Sequence, residues 1–372
     1  MKIGLTMIVK NEAAVIGRCL DSVLGSGLID YMSIVDTGST DDTMVIVAEK
    51  ASQYNINGSI RHMPFTDFAS CRNRSLDELK KNSDVDWGFW IDADEVLVLA
   101  PDFNKDVFIE SISMNEHAHV MVKEGNIEYY RNNFFKIKDG VKWHGAVHEY
   151  LKSEGYFEKV QGLHIDRFYD GHSWQNPTEK TNQYIRLLEA QIKAEPKEPR
   201  WVYFLADTLR MAQTPVTDKA AIDYYLHRIK MGGGNIEEIY VSKVMVASLK
   251  FKVYKNKDYR ILEECEGYQR AEHLVTLAKF SMSDNNYESA YAYLKIANHF
   301  TGKPPLVSSM IIDASLYYFG IPFIFSQVCY ITERYKESLE ALEVCKENVK
   351  YATPAESKVV EEGFELLKVK IK

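Results

Sequence analysis

Cysteine is scarce. Five residues, Cys19, Cys71, Cys265, Cys329 and Cys345, are scattered over 372 positions with no CxxC pair. An odd number at such spacings suits buried reduced thiols better than a disulfide framework or a zinc site. Phosphate-cradling glycine loops are missing as well. There is no Walker A motif and no GxGxxG after a strand, and the one glycine cluster, Met231 to Asn235, lies among helical stretches and reads as a loop or helix stop. No long apolar run is present either. Ile311 to Ile331 is interrupted by Asp313, Gly320, Pro322 and Gln327, whereas a spanning helix needs ~20 largely uncharged residues. It reads instead as two core helical segments broken at Gly320 to Pro322. The N-terminal MKIGLTMIVKNE meets Lys10 and Glu12 too soon for a signal-peptide core. A first strand, a cytoplasmic location and no membrane span are expected. Basic charge is in deficit, 45 Lys and Arg against 53 Asp and Glu for a net −8, which disfavours an extended nucleic-acid surface while leaving room for a local basic groove.

What remains is an ordinary globular composition, 46% hydrophobic and 26% charged, on a chain long enough for two domains. Up to about residue 175 short β-branched runs alternate with helical stretches. IGLTMIV, YMSIVD, GSIRHM and DWGFWID read as strands; EAAVIGRCLDSVL, STDDTMVIVAEKA and DFASCRNRSLDELKK read as helices, the second with capping-box spacing between Ser39 and Asp42. Such alternation implies a doubly wound, mostly parallel sheet that binds ligands beyond the carboxyl ends of its strands, where Asp36 and Asp92 both fall. From residue 176 to 372 helix follows helix. NYESAYAYLKIANHF and RYKESLEALEVCKEN share one pattern, with DKAAIDYYLHRI and DYRILEECEGY as weaker relatives, as in tetratricopeptide-like repeats of irregular spacing. The boundary is expected near HSWQNPTEK, where Asn176, Pro177 and Thr178 make a helix start.

Two acidic stretches invite chemistry. In WGFWIDADEVLVL, Asp92, Asp94 and Glu95 follow an apolar strand, where isolated carboxylates are costly. The acids either cap the loop or hold a divalent cation, and oxygen donors suit Mg²⁺ or Mn²⁺ shared with a substrate's phosphates. In IVDTGSTDDT, Asp36 stands at a strand end with Gly38 after it, placed to accept hydrogen bonds from a base or ribose. Asp41 and Asp42 read as first-turn helix acids. Of the basic residues, Arg72 stands out because a guanidinium beside a diphosphate forms paired hydrogen bonds.

LTMIVKNEAAVIGRCLDSVL, IVDTGSTDDT, DFASCRNRSL and WIDADEVL, in this order, resemble the nucleotide-binding half of family 2 glycosyltransferases with the GT-A fold. WHGAVHEYL resembles the segment that follows in a bacterial and phage subgroup with a tetratricopeptide-like C-terminal half. The resemblance implies that Asp36 contacts uracil and ribose of a UDP-sugar, and that the segment from Thr6 through Val9 and Asn11 to Glu12 wraps the nucleoside. It implies that Arg72 and Asn73 face the nucleotide, and that Asp92, Ala93 and Asp94 form the DxD motif whose acids reach the ribose and the metal. His148 is then a candidate third metal ligand. Glu149 is the candidate general base, with Asp166 and Asp170 next in line. The expected protein is a metal-dependent, inverting glycosyltransferase using Mn²⁺ or Mg²⁺ and a UDP-sugar donor. Its acceptor, on a peptide or protein, a glycan or a modified DNA base, is not specified, and a homodimer through the helical half is possible. The rival expectation is a helical-repeat adaptor whose N-terminal domain has kept its fold and lost activity.

Overall fold

β-Branched, apolar runs become strands where both faces are covered. The computed structural model describes residues 1–125, 127–305 and 312–371. In it β1 (Ile3–Val9), β2 (Tyr31–Asp36), β3 (Asn57–His62) and β4 (Trp87–Trp90) alternate with helices α1 (Ile16–Leu24), α2 (Thr43–Gln53) and α3 (Phe68–Lys80). The pairings β3–β2, β2–β1 and β1–β4 are parallel, so the loops after β1, β2 and β4 emerge at one edge.

Beyond β4 come β5 (Glu95–Leu99), α4 (Lys105–Ser113), β6 (His117–Glu124), β7 (Ile127–Lys136), a separate ribbon of β8 (Lys142–His144) and β9 (Tyr150–Lys152), and β10 (Phe157–Arg167). The sheet order is β3-β2-β1-β4-β7-β6-β10-β5. The β6–β10 pairing is parallel, and β4–β7, β7–β6 and β10–β5 are antiparallel. Arg167, the last residue of β10, pairs with Glu95, the first of β5, so this strand returns to the edge that carries Asp92 and Asp94. The core packs Leu5 and Met7 of β1 and Leu20 and Val23 of α1 with Phe89 and Phe134, whose rings stack at 4.4 Å.

Two compact units result, residues 1–194 and 195–372. Helix α5 (Pro177–Ala194) belongs to the first, held there by Tyr184 edge-on to Phe68 at 5.7 Å and by Gln191 accepting from the Ala146 amide. The second unit runs through α6 (Pro199–Met211), α7 (Pro215–Met231), α8 (Ile236–Tyr254), α9 (Tyr259–Glu263), α10 (Glu272–Ser283), α11 (Tyr287–Ala297), α12 (Ile321–Ile331), α13 (Tyr335–Glu347) and α14 (Pro354–Lys370). Its cores are local. Tyr240, Leu262 and Phe280 join α8, α9 and α10, and Leu294, Val328 and Ala341 join α11, α12 and α13, as neighbours do in a tetratricopeptide-like stack.

Two local expectations are corrected. The Ser39–Asp42 capping box does not form: α2 starts at Thr43 with Asp42 itself at the N-cap and no side-chain cap bond, while Ser39 Oγ accepts from the Asn11 amide. The Ile311–Ile331 run has no break at Gly320 to Pro322. Leu316–Gly320 is a π-helical turn that leads directly into α12, Gly320 is right-handed helical, and Pro322 follows that turn without ending the helix. Ile311 itself lies outside the described residues. Among those described, no helix is long and apolar enough to cross a membrane.

Candidate functional site

The loops that leave β1 and β2 are laced together. The Asn11 amide donates to Ser39 Oγ at 3.0 Å, the Thr40 amide to Asn11 Oδ1 at 2.7 Å, and the Glu12 amide to Thr43 Oγ1 at 2.8 Å. Asn11 takes a left-handed backbone, φ 55, which Asn tolerates better than most residues. Asp36 accepts from the Ser39 and Gly38 amides at 2.9 and 3.4 Å and lies 3.0 Å from His62 Nδ1. Burial raises its pKa, but these hydrogen bonds outweigh it and hold the carboxyl below the usual range. Asp36, Asn11 and Glu12 thus share the ligand-binding edge.

Thr6 lies further back along β1, and Val9, opposite Asp36 in the β1–β2 register, reaches that edge with its side chain turned into the core. Thr6 is 2% exposed within β1, its hydroxyl 2.6 Å from Ser75 Oγ of α3. Val9 is a core side chain whose carbonyl accepts from both the amide and the hydroxyl of Thr37. β1 is covered on both faces, so both side chains are buried.

The turn Asp92, Ala93, Asp94 connects β4 to β5. Burial raises the Asp92 pKa, yet the positive charges of Arg72, Arg131 and Arg167 hold it at about 2. Asp94 is pushed the other way, up to about 6, by burial and by the Asp92 charge, even though Trp174 Nε1 donates to its Oδ2 at 3.0 Å. Glu12 accepts from the His172 amide at 3.0 Å and is still driven up to about 7, first by burial and then by Asp94, Asp92 and Asp41. Asp94 and Glu12, unlike Asp92, are raised by burial and by neighbouring carboxylates, and a divalent cation relieves such repulsion.

Arg72 and Asn73 are both bonded to protein groups. Arg72 is buried with its guanidinium 4.6 Å from the Trp90 ring and 5.0 Å from the Trp143 ring. Its Nε donates to Glu149 Oε1 and its Nη2 to Asp92 Oδ1, both at 2.7 Å. Its Nε and Nη2 are thus both engaged by carboxylates. Asn73 uses both ends of its amide on the Trp143 backbone, donating at 2.9 Å and accepting at 2.7 Å, so it ties α3 to β8. Glu149, beside β9, is nearly buried, and burial raises its pKa against the pull of Arg72. Asp166 lies 3.3 Å from His164, and Asp170 is bridged by two bonds to Arg18.

His148 precedes Glu149 with a left-handed backbone, φ 53, and its ring is 5.7 Å from that of Tyr184. Among the described residues no three His, Cys, Asp or Glu side chains are grouped so as to hold a metal, so His148 is not assembled with Asp92 and Asp94. The donor set fits an ion held by one or two carboxylates and completed by phosphate oxygens and water, the usual habit of Mg²⁺.

Sequence reasoning overlooked several residues here. Arg131 forks onto the buried Glu95 at 2.8 and 2.7 Å. Arg167 ends β10 beside Asp94, whose carbonyl accepts from the Phe168 amide at 3.1 Å. Lys180 lies over the Trp174 ring at 3.4 Å. The available signal was a basic residue closing a strand and a tryptophan six residues before a lysine, in a stretch read only as a boundary.

Residues 5–137 match the family described as Glycosyl transferase family 2. The chain is 28% identical over 232 residues to the SPbeta prophage-derived glycosyltransferase SunS of Bacillus subtilis (strain 168), covering 59% of this chain and 51% of that one. It therefore spans about half the length of that curated relative. A TPR repeat-containing protein of Synechococcus elongatus is 33% identical over 99 residues, 26% of this chain and 22% of its own. Among solved structures, S. aureus TarS 1-349 in complex with UDP-GlcNAc aligns with a TM-score of 0.36 at 12% identity, covering 98% of this chain and 92% of that one.

Proposed function

The chain carries a family 2 glycosyltransferase domain over residues 5–137, and from that premise we propose that the protein is a metal-dependent, inverting glycosyltransferase that moves a sugar from a UDP-sugar to an acceptor nucleophile. The observation that supports this reading best is the meeting, at the carboxyl ends of β1, β2 and β4, of the ionised Asp36 and Asp92 with two carboxyls, Asp94 and Glu12, that burial and mutual repulsion leave short of positive charge. An inactive scaffold has no use for such an arrangement.

Asp36 accepts from the nucleoside, with Asn11 and Glu12 beside it. Asp94 and Asp92 hold Mn²⁺ or Mg²⁺, which when bound supplies charge against the departing diphosphate. Glu149 removes the proton of the acceptor with the carboxylate oxygen that Arg72 leaves free, so that attack comes from the face opposite the leaving group. The acceptor is a side chain of a peptide or protein, a glycan or a modified DNA base, the last least favoured by the net charge of −8. The helical unit offers a broad face for it or for a second copy of the chain.

Turnover of UDP-sugars is expected to vanish in EDTA and return with Mn²⁺. Asp94→Asn is expected to weaken both UDP binding by calorimetry and turnover, with partial rescue by excess Mn²⁺. Full turnover by metal-free protein overturns the metal assignment, and failure to bind UDP in the presence of Mn²⁺ overturns the donor.

A further inference from the structure

We propose that Tyr184 is a specificity-determining residue that contacts the transferred sugar, its hydroxyl hydrogen-bonding to a sugar oxygen in the space between the Asp92–Asp94 turn and Glu149. The inference rests on the UDP-sugar reading above.

Helix α5 brings Tyr184 against the centre of the site. Its ring meets that of Phe68 edge-on at 5.7 Å and that of His148 at 5.7 Å with 84° between the planes. Phe68 lies one turn before Arg72 on α3, His148 directly precedes Glu149, and Arg72 and Glu149 are themselves joined at 2.7 Å. The phenol is thus braced against chain neighbours of both members of the ion pair that ties the donor-side acid to the acceptor-side acid. Helix α5 lies beyond residues 5–137, which match the family, so this side chain comes from the segment that follows the shared domain.

The hydroxyl has no duty within the protein. Among the described residues nothing hydrogen-bonds to it, and its oxygen is not shut off from solvent. A tyrosine covered this far ordinarily finds a partner for its O–H. Burial, then the charges of Glu149 and Asp92, push its pKa up, so the group stays protonated and remains a donor at neutral pH. Glu149 Oε1 and Asp92 Oδ1 accept from Arg72 instead.

A sugar suits this place. With the diphosphate held at the Asp92–Asp94 turn and the acceptor at Glu149, the carbon under attack lies between them. A hydroxyl that feels both acids borders that carbon's ring, and Glu149 acts on it more strongly than Asp92, which sets it beside the sugar and not beside the diphosphate. A sugar offers what a phenol binds: oxygens that accept its O–H and C–H faces that pack on its ring.

Calorimetry on the full chain with Mn²⁺ tests the contact, using UDP and a panel of UDP-hexoses and UDP-N-acetylhexosamines, and reading the UDP-sugar that the wild type binds most tightly. Tyr184→Phe is expected to lower the affinity for that UDP-sugar about three- to tenfold, the worth of one neutral hydrogen bond, and the affinity for UDP less than about twofold. Melting should not change, because the ring keeps its contacts with Phe68 and His148. Equal UDP-sugar affinity in variant and wild type overturns the sugar contact and leaves the glycosyltransferase reading standing, as does an equal loss for UDP and UDP-sugar. If the wild type binds neither UDP nor any UDP-sugar with Mn²⁺, that reading falls and takes the sugar contact with it.

Discussion

Arg72 shows how one side chain governs two others. Its guanidinium is held against Trp90 and Trp143 and joins Asp92 to Glu149, fixing the acid of the donor side and the acid of the acceptor side in one geometry. Two substitutions separate position from chemistry. Glu149→Gln retains a carbonyl that accepts from Arg72, which keeps Asp92 as its counter-charge, so melting should fall less than for Arg72→Met while sugar transfer falls by about 10² to 10⁴, the usual worth of a general base. Arg72→Met leaves two carboxylates unpaired, and removing one partner of a buried ion pair costs about 3–5 kcal/mol, to be seen as a large drop in melting temperature. Near-normal transfer by Glu149→Gln moves the base elsewhere, first to Asp166, since Asp170 is occupied by Arg18.

Strand β6 carries a pH-sensitive contact of its own. His119 stacks on Phe157 of β10 at 4.4 Å with 17° between the ring planes, and burial, then His117 and Lys159, push its pKa down to about 4. An unfolded His titrates near 6.5, so between these values the unfolded chain binds a proton that the folded one refuses. The stability linked to His119 is fully present above about pH 6.5 and is lost as pH falls toward 4. His119→Phe, which keeps the stacking, is expected to lose less melting temperature than the parent over that interval. Asp94 and Glu12, raised to about 6 and about 7, contribute with the opposite sign in both proteins and cancel in the comparison. Equal pH profiles for parent and variant would show that the ring is protonated in place.

At the scale of the molecule, the division between residues 194 and 195 leaves every residue of the proposed site in the first unit. A fragment 1–194 is expected to melt cooperatively and to bind UDP with Mn²⁺. A fragment 1–175 loses α5, and with it Lys180, the Tyr184 contact to Phe68 and the Gln191 contact to Ala146, so it should bind UDP more weakly even if it folds. Calorimetry on both fragments, each with its melting curve, checks this. A folded 1–194 that fails to bind UDP places part of the nucleotide site in the helical unit.

The amino-acid sequence by itself determined the features that depend on neighbours along the chain. Apolar alternation placed β1, β2, β3 and β4 within a few residues, and with them Asp36 and Asp92 at strand ends, because strand and helix periods are properties of short segments. Helical spacing in the second half announced its stack for the same reason. Partner choice was different. Arg72 reaches Asp92 across 20 positions and Glu149 across 77, and Asn73 reaches Trp143 across 70. Only the packing of α3 against β8 and the sheet edge decided which carboxylates and backbone groups these side chains would meet. Thr6 was lost from the site because α3 covers that face of β1. Arg167 came to lie beside Asp94 because β10, antiparallel to β5, carries its end back to that turn. Local pattern fixes where a residue sits in its own element; which charge it meets depends on register and on the nearest competing donor, and those exist only in the folded molecule.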